Sequence, residues 1–106
     1  MEQAALVYTT WPSVVEAEAA GLALIEATLA ACVNILPGMR SIYRWEGVVE
    51  RAQETVMIVK TNTTRSDAVV AAVRARHPYK TPAIVVVPVT GGEPAYLAWI
   101  ITETAE

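Results

Sequence analysis

A chain of 106 residues, 54% hydrophobic and 18% charged, is expected to fold as one domain, 1–106, without a metal or disulfide staple. Its formal charge of −3, with no basic stripe, argues against nucleic acid as a partner. No apolar run approaches the roughly 20 residues of a membrane span, so no membrane partner is expected, and the hydrophobic excess points to a buried interface between copies.

In chain order, MEQAALVYTT lacks the basic and apolar segments of a signal peptide, although a leader already removed is compatible with it. Ala4 to Thr10 reads as a strand, ended by Trp11-Pro12. Ser13, three residues before Glu16, predicts a capping box and a helix to about Ala30. Val15, Leu22, Ile25 and Leu29 recur at helical spacing and are the expected core face. Ala17, Ala20 and Gly21 form a neighbouring small stripe that allows close approach to a sheet.

Ala31 to Thr61 then reads as one long β-hairpin turning at Glu46-Gly47, where Gly47 permits positive φ. Counting back from the turn pairs Trp45 with Val48 and Tyr43 with Glu50. Pro37-Gly38 predicts a bulge. The return strand alone could run about 46 Å, whereas a compact domain of this length is roughly 34 Å across. A lone ribbon is barely stable in water and its open edges invite pairing. The tip carries Tyr43, Trp45, Val48 and Val49, so it is expected to pack on another copy; the alternative is that Pro37-Gly38 folds it back over its own domain.

Thr64-Arg65-Ser66-Asp67 resembles a second helix cap. The helix it starts carries Val69, Val70 and Val73 and must stop by His77, ahead of Pro78. Lys80-Thr81-Pro82 is a loop. Ala83 to Val87 is wholly apolar and is expected to be a central strand buried on both faces. A Gly-rich turn leads to a last helix with Pro94 near its start and Leu97, Ile100 and Ile101 facing inward. The order predicts an α+β ferredoxin-like βαββαβ sandwich with an extended hairpin between its second and third strands and an extra C-terminal helix.

Enzyme signatures are missing: there is no G-x-S-x-G, P-loop or G-x-G-x-x-G, and the carboxylates are scattered, so no enzyme is expected. Cys32, the one cysteine, excludes an internal disulfide and zinc-type spacing, and makes a reducing, cytoplasmic compartment the default. It reads as a small buried hydrophobe. His77 is either a helix-end group favoured by the dipole or the donor of a soft-metal site. Trp45 is an intersubunit anchor or a ligand platform. Tyr79, held between Pro78 and Pro82, is placed to line a cleft. Lys60 offers a charge for an anion or lies along the surface.

The blocks ACVNILPGMRSIYRWEGVVE, ETVMIVKT and HPYKTPAIVVVPV, then a Gly turn and AYLAWI, resemble the CutA divalent-cation tolerance family over nearly the whole chain. The resemblance implies a ferredoxin-like fold and a tight homotrimer built like the PII signalling proteins. It also implies a role in tolerance of copper and other divalent metals, with a divalent cation such as copper as the only cofactor suggested. Clefts between subunits would then be lined by Cys32, Tyr43, Trp45, Lys60, His77 and Tyr79. In some bacterial members copper is held by a late first-strand Cys and two adjacent His; the matching positions are Thr9, Arg76 and His77. Arg has no lone pair to give and a Thr hydroxyl is a poor soft-metal ligand. Ala83 stands where relatives usually carry Glu, and Val48 where Lys is common. The competing reading is a PII-like signalling or scaffolding trimer that acts on a protein partner without metal.

Overall fold

The computed structural model describes residues 2–106. Along it run β1 (Ala4–Trp11), α1 (Val14–Glu26), β2 (Cys32–Trp45), β3 (Val48–Asn62), α2 (Ser66–Arg76), β4 (Ile84–Pro88) and α3 (Pro94–Glu103). The strands form one antiparallel sheet in the order β2-β3-β1-β4. This is the expected α+β ferredoxin-like sandwich, long hairpin and extra helix included.

Alternation along the strands divides the sheet into two unlike faces. Ala5, Val7, Thr9 and Trp11 point one way with their β3 partners Thr61, Val59, Met57 and Thr55, and all of them are buried. Helices α1 and α2 close this face: Ala17, Ala20, Leu24, Val69 and Val73 join Val7, Trp11, Met57 and Val59 in one core. The opposite face carries Leu6, Tyr8, Ile58, Lys60, Leu36, Val85 and Val87. Among the described residues only α3 lies over the sheet there, at one end. Lys60 Nζ donates to the Tyr96 hydroxyl at 2.8 Å, and Asn62 Nδ2 to Thr104 Oγ1 at 2.7 Å. Leu36, Val85 and Val87 stay exposed.

The hairpin has the expected register, Trp45 opposite Val48 and Tyr43 opposite Glu50. Glu46 and Gly47 both have positive φ, 49° and 82°, as a two-residue turn matched to strand twist requires. Leu36 pairs with Val56 and Met39 with Glu54, so Pro37 and Gly38 together face Thr55 alone. Gly38 takes φ 81° there, which gives the expected bulge. The ribbon beyond it stretches the molecule to 43 Å along its longest axis.

Four expectations need correction. Val15 and Leu22 are 77% and 59% exposed and Ile25 is exposed too; the buried face of α1 is Ala17, Ala20, Gly21 and Leu24. The reason is clearance: a Cβ on Gly21 would stand 2.8 Å from Val33 Cγ2, so the helix lies too close to the sheet for large residues. Helix α1 also ends at Glu26, short of Ala30. Thr28 adopts φ 61°, and the N–H groups of Thr28 and Leu29 donate back to Ile25 and Leu24, a Schellman closure.

The third correction concerns α2, whose N-cap position Arg65 makes no side-chain cap; Asn62 Oδ1 accepts from the Thr64 N–H instead. Finally, β4 pairs only with β1 and is an edge strand, with Val85, Val86 and Val87 exposed. Ile84 packs against the core, but Val85, Val86 and Val87 are left open by the described residues. The Ser13 cap is present: its hydroxyl oxygen accepts from the Glu16 N–H and donates to the Glu16 carboxylate.

Candidate functional site

Beyond the bulge, Met39, Ser41, Tyr43 and Trp45 share a ribbon face with their partners Glu54, Ala52, Glu50 and Val48. This face continues the open side of the sheet, where β1 presents Tyr8 and Thr10. The Tyr8 hydroxyl donates to Met39 Sδ at 3.4 Å and ties the two together. The segment Pro78 to Ala83 forms the far wall. Between them lies a groove of about 1010 Å³. Tyr43, Trp45 and Tyr79 line it, so three of the residues expected at a cleft do meet.

His77 stands behind this wall, at the end of α2, and is buried. Its Nε2 lies 2.6 Å from the Thr10 carbonyl, and its Nδ1 is 3.2 Å from the Tyr79 N–H. A carbonyl only accepts and an N–H only donates, so the proton sits on Nε2 and the Nδ1 lone pair is occupied. The ring packs between Trp11, centroids 4.4 Å apart, and Tyr79, 4.9 Å apart. In this arrangement His77 pins the 78–83 wall to β1. Burial pushes the Tyr79 hydroxyl pKa up, and the nearby Glu54 and Tyr43 add to it, with a smaller contribution from Glu16.

Cys32 and Lys60 lie elsewhere. They are cross-strand partners, and Lys60 pairs on its other side with Leu6. Leu6 is four residues along β1 from Thr10, about 13 Å. Lys60 bonds to Tyr96 and lies 5.2 Å from that ring's centroid, while Tyr96 stacks on Trp99. The Tyr96 hydroxyl holds the Lys60 pKa above its usual value, against a smaller lowering by burial. Within one chain the expected cleft set therefore divides: Tyr43, Trp45 and Tyr79 line the groove, Cys32 and Lys60 lie at the other end of the open face, and His77 is buried behind the wall. Sequence reading missed Tyr8, Met39 and Tyr96 as site residues. Tyr8 was findable, since alternation puts it on the face opposite Val7, but that face carries no signal until the core side is known.

Thr9, Arg76 and His77, the positions that the family resemblance implies for copper, do not fit a metal here. Thr9 Oγ1 donates to the Met57 carbonyl at 2.8 Å and accepts from Trp11 Nε1 at 2.7 Å, inside the core. Arg76 is an exposed cation, and both His77 nitrogens are engaged. Among the described residues no three His, Cys, Asp or Glu side chains converge as a metal site. No described helix is long and apolar enough to cross a membrane.

Known proteins match this chain closely. A family model described as CutA1 divalent ion tolerance protein matches residues 5–103. The divalent-cation tolerance protein CutA of Thermus thermophilus is 44% identical over 104 residues, covering 98% of this chain and 99% of that protein. The crystal structure of CutA from Xylella fastidiosa superposes with a TM-score of 0.92 at 40% identity, over 97% of this chain and 99% of that one. The structure of the periplasmic divalent cation tolerance protein CutA from Archaeoglobus fulgidus gives 0.91 at 41% identity, over 96% and 99%.

Proposed function

The chain belongs to the CutA1 divalent ion tolerance family, and from that premise we propose that it serves divalent-ion tolerance as a homotrimer. The observation that carries the assembly is the open face. Leu36, Val85 and Val87 are exposed on it, and among the described residues both edges of the sheet, β2 and β4, lack a partner strand. Long apolar edges are normally covered. Pairing the β2 edge of one copy with the β4 edge of the next is a head-to-tail contact, which closes into a ring when the rotation allows. The number three follows from the family resemblance.

In this reading the groove at the hairpin becomes a ligand cleft, and the Cys32 and Lys60 end of one copy is free to meet the hairpin of its neighbour. Since the Thr9, Arg76 and His77 positions do not suit a metal, the chain takes part in metal response through its assembly and its cleft, not through a His77-centred centre. That favours action by contact with a protein partner, as in PII-like signalling trimers. We place the chain, as a single non-enzymatic domain, in the cytoplasm, in keeping with its one free cysteine.

The double substitution Val85→Lys and Val87→Lys tests the assembly. Both side chains are exposed in the single chain, so the fold should survive. Light scattering should then show monomer. Val15→Lys, exposed on the helical side, should leave the oligomer intact. An unchanged oligomer in the β4 variant would refute the edge and open-face contact.

A further inference from the structure

We propose that the outward face of the hairpin docks an extended acidic segment of a partner protein, with the pattern acidic-x-apolar-x-acidic. The inference rests on the protein-contact reading above and names the chemistry of that partner. Register assembles the surface from residues that lie scattered in the sequence. Arg40 pairs with Gln53, Ile42 with Arg51 and Arg44 with Val49, and alternation turns these six side chains away from the groove. All six are exposed. Two-residue steps from buried Thr55 through Gln53 and Arg51 to Val49 keep to the side of the sheet that carries α1 and α2. Covering the open face with another copy therefore leaves these side chains outside.

Arg51 stands opposite Ile42 and diagonally across from both Arg40 and Arg44. Diagonal neighbours in a ladder are about 7–8 Å apart, so three guanidinium groups ring one aliphatic side chain. A hollow of about 260 Å³ opens beside it, lined in part by Arg40, Ile42, Arg51 and Gln53. Three of the chain's eight cationic residues thus share a ribbon face that holds no carboxylate. Glu50 and Glu54 lie on the groove face, and Glu46 sits in the turn. No ion pair offsets the repulsion among the arginines: the one salt bridge among the described residues joins Arg65 to Glu106.

Residue choice indicates the occupant. Every cation on the ribbon, from Met39 to Glu54, is Arg and none is Lys. Arg is enriched in protein interfaces and Lys depleted, since the planar, weakly hydrated guanidinium takes a carboxylate bidentately. Ile42 and Val49 are 69% and 51% exposed among these arginines, apolar area that a phosphate ion would leave wet and an apolar partner side chain would cover. Spacing then gives the pattern. Arg40, Ile42 and Arg44 lie at i, i+2 and i+4 and span about 13 Å. An extended segment laid on them presents side chains with the same period, so two carboxylates meet Arg40 and Arg44 while an apolar residue between them meets Ile42. Arg51 reaches either carboxylate. Exposed ion pairs are individually weak and screened by salt, so affinity comes from three arginines acting around one apolar centre.

The end-blocked peptide Gly-Glu-Ser-Leu-Ser-Glu-Gly is the probe, titrated into the intact chain at low salt and followed by the Ile42 methyl and Arg51 Nε–H signals in NMR spectra. Both signals should shift saturably. The double substitution Arg40→Gln and Arg51→Gln, at exposed positions, should weaken binding at least about tenfold without altering the melting temperature. Arg74→Gln with Arg76→Gln removes the same charge from exposed positions on α2 and should leave binding as in the wild type. The isomer Gly-Glu-Glu-Leu-Ser-Ser-Gly, whose carboxylates are out of register, should bind several-fold more weakly. No saturable shift, an equal loss in both double variants, or equal binding of the isomer would overturn the docking surface. So would tight binding of inorganic triphosphate with no effect of replacing the peptide's leucine by glycine, which would make the face an anion site. Sedimentation of the same samples keeps the readings apart. A trimer that ignores the peptide refutes this surface alone, and a monomer that binds it refutes the trimer alone.

Discussion

At Gly21 a missing side chain sets how near α1 lies to the sheet. A Cβ there would meet Val33 Cγ2 at 2.8 Å and Met57 Sδ at 3.2 Å. Overpacking of that kind costs about 1–3 kcal/mol, more than the roughly 1 kcal/mol of helix propensity that alanine adds. Gly21→Ala should therefore lose up to about 2 kcal/mol in urea denaturation, and a stabilised variant would contradict the packing. His77 acts at the same scale. Removing a buried ring and its two hydrogen bonds should cost about 2–3 kcal/mol. If its role is to pin the 78–83 wall, His77→Ala will lower stability and leave the heat of Cu(II) titration unchanged. A loss of site heat would return the metal to that residue. Little of this was legible in the sequence. His77 looked like a helix end, which it is, but its bond to Thr10, 67 residues away in sequence, depends on tertiary structure. Trp11 read only as a strand terminator, yet it is a fully buried core side chain.

Among the elements, the hairpin was the most readable, because turn chemistry and the bulge at Pro37-Gly38 are local. The Ser13 cap was readable for the same reason. Helix α1 misled because periodicity ranks large apolar residues as core, whereas a helix lying tight on a sheet buries its small ones and leaves Val15 and Leu22 outside. Strand β4 misled because an all-apolar run signals cover without saying which chain supplies it. The contacts that join elements also set a pH dependence. Lys60 on β3, bonded to Tyr96 on α3, and Tyr79 in the wall both have raised pKa values. A raised value means that the folded state holds its proton longer. The stabilising contribution is then complete below the unfolded values, near pH 10, and is lost as pH rises through the folded ones. Chemical denaturation should show stability falling above about pH 10, and Tyr79→Phe should make that fall shallower. A variant with the full wild-type slope would remove Tyr79 from the account.

For the molecule as a whole, one face of the sheet is a finished core and the other is not. Val7, Trp11, Met57 and Val59 are sealed by α1 and α2, while Leu36, Val85 and Val87 face outward on the side where α3 covers only one end. The ribbon extends the chain to 43 Å and carries its aromatic residues to the unfinished side. Apolar burial between copies would complete that face and make stability depend on concentration. Sedimentation velocity of the wild-type chain in a dilution series to sub-micromolar concentration tests this most directly. A species of three times the 11.4 kDa chain mass should persist on dilution. A folded 11.4 kDa monomer with its hairpin protected from hydrogen exchange would contradict it.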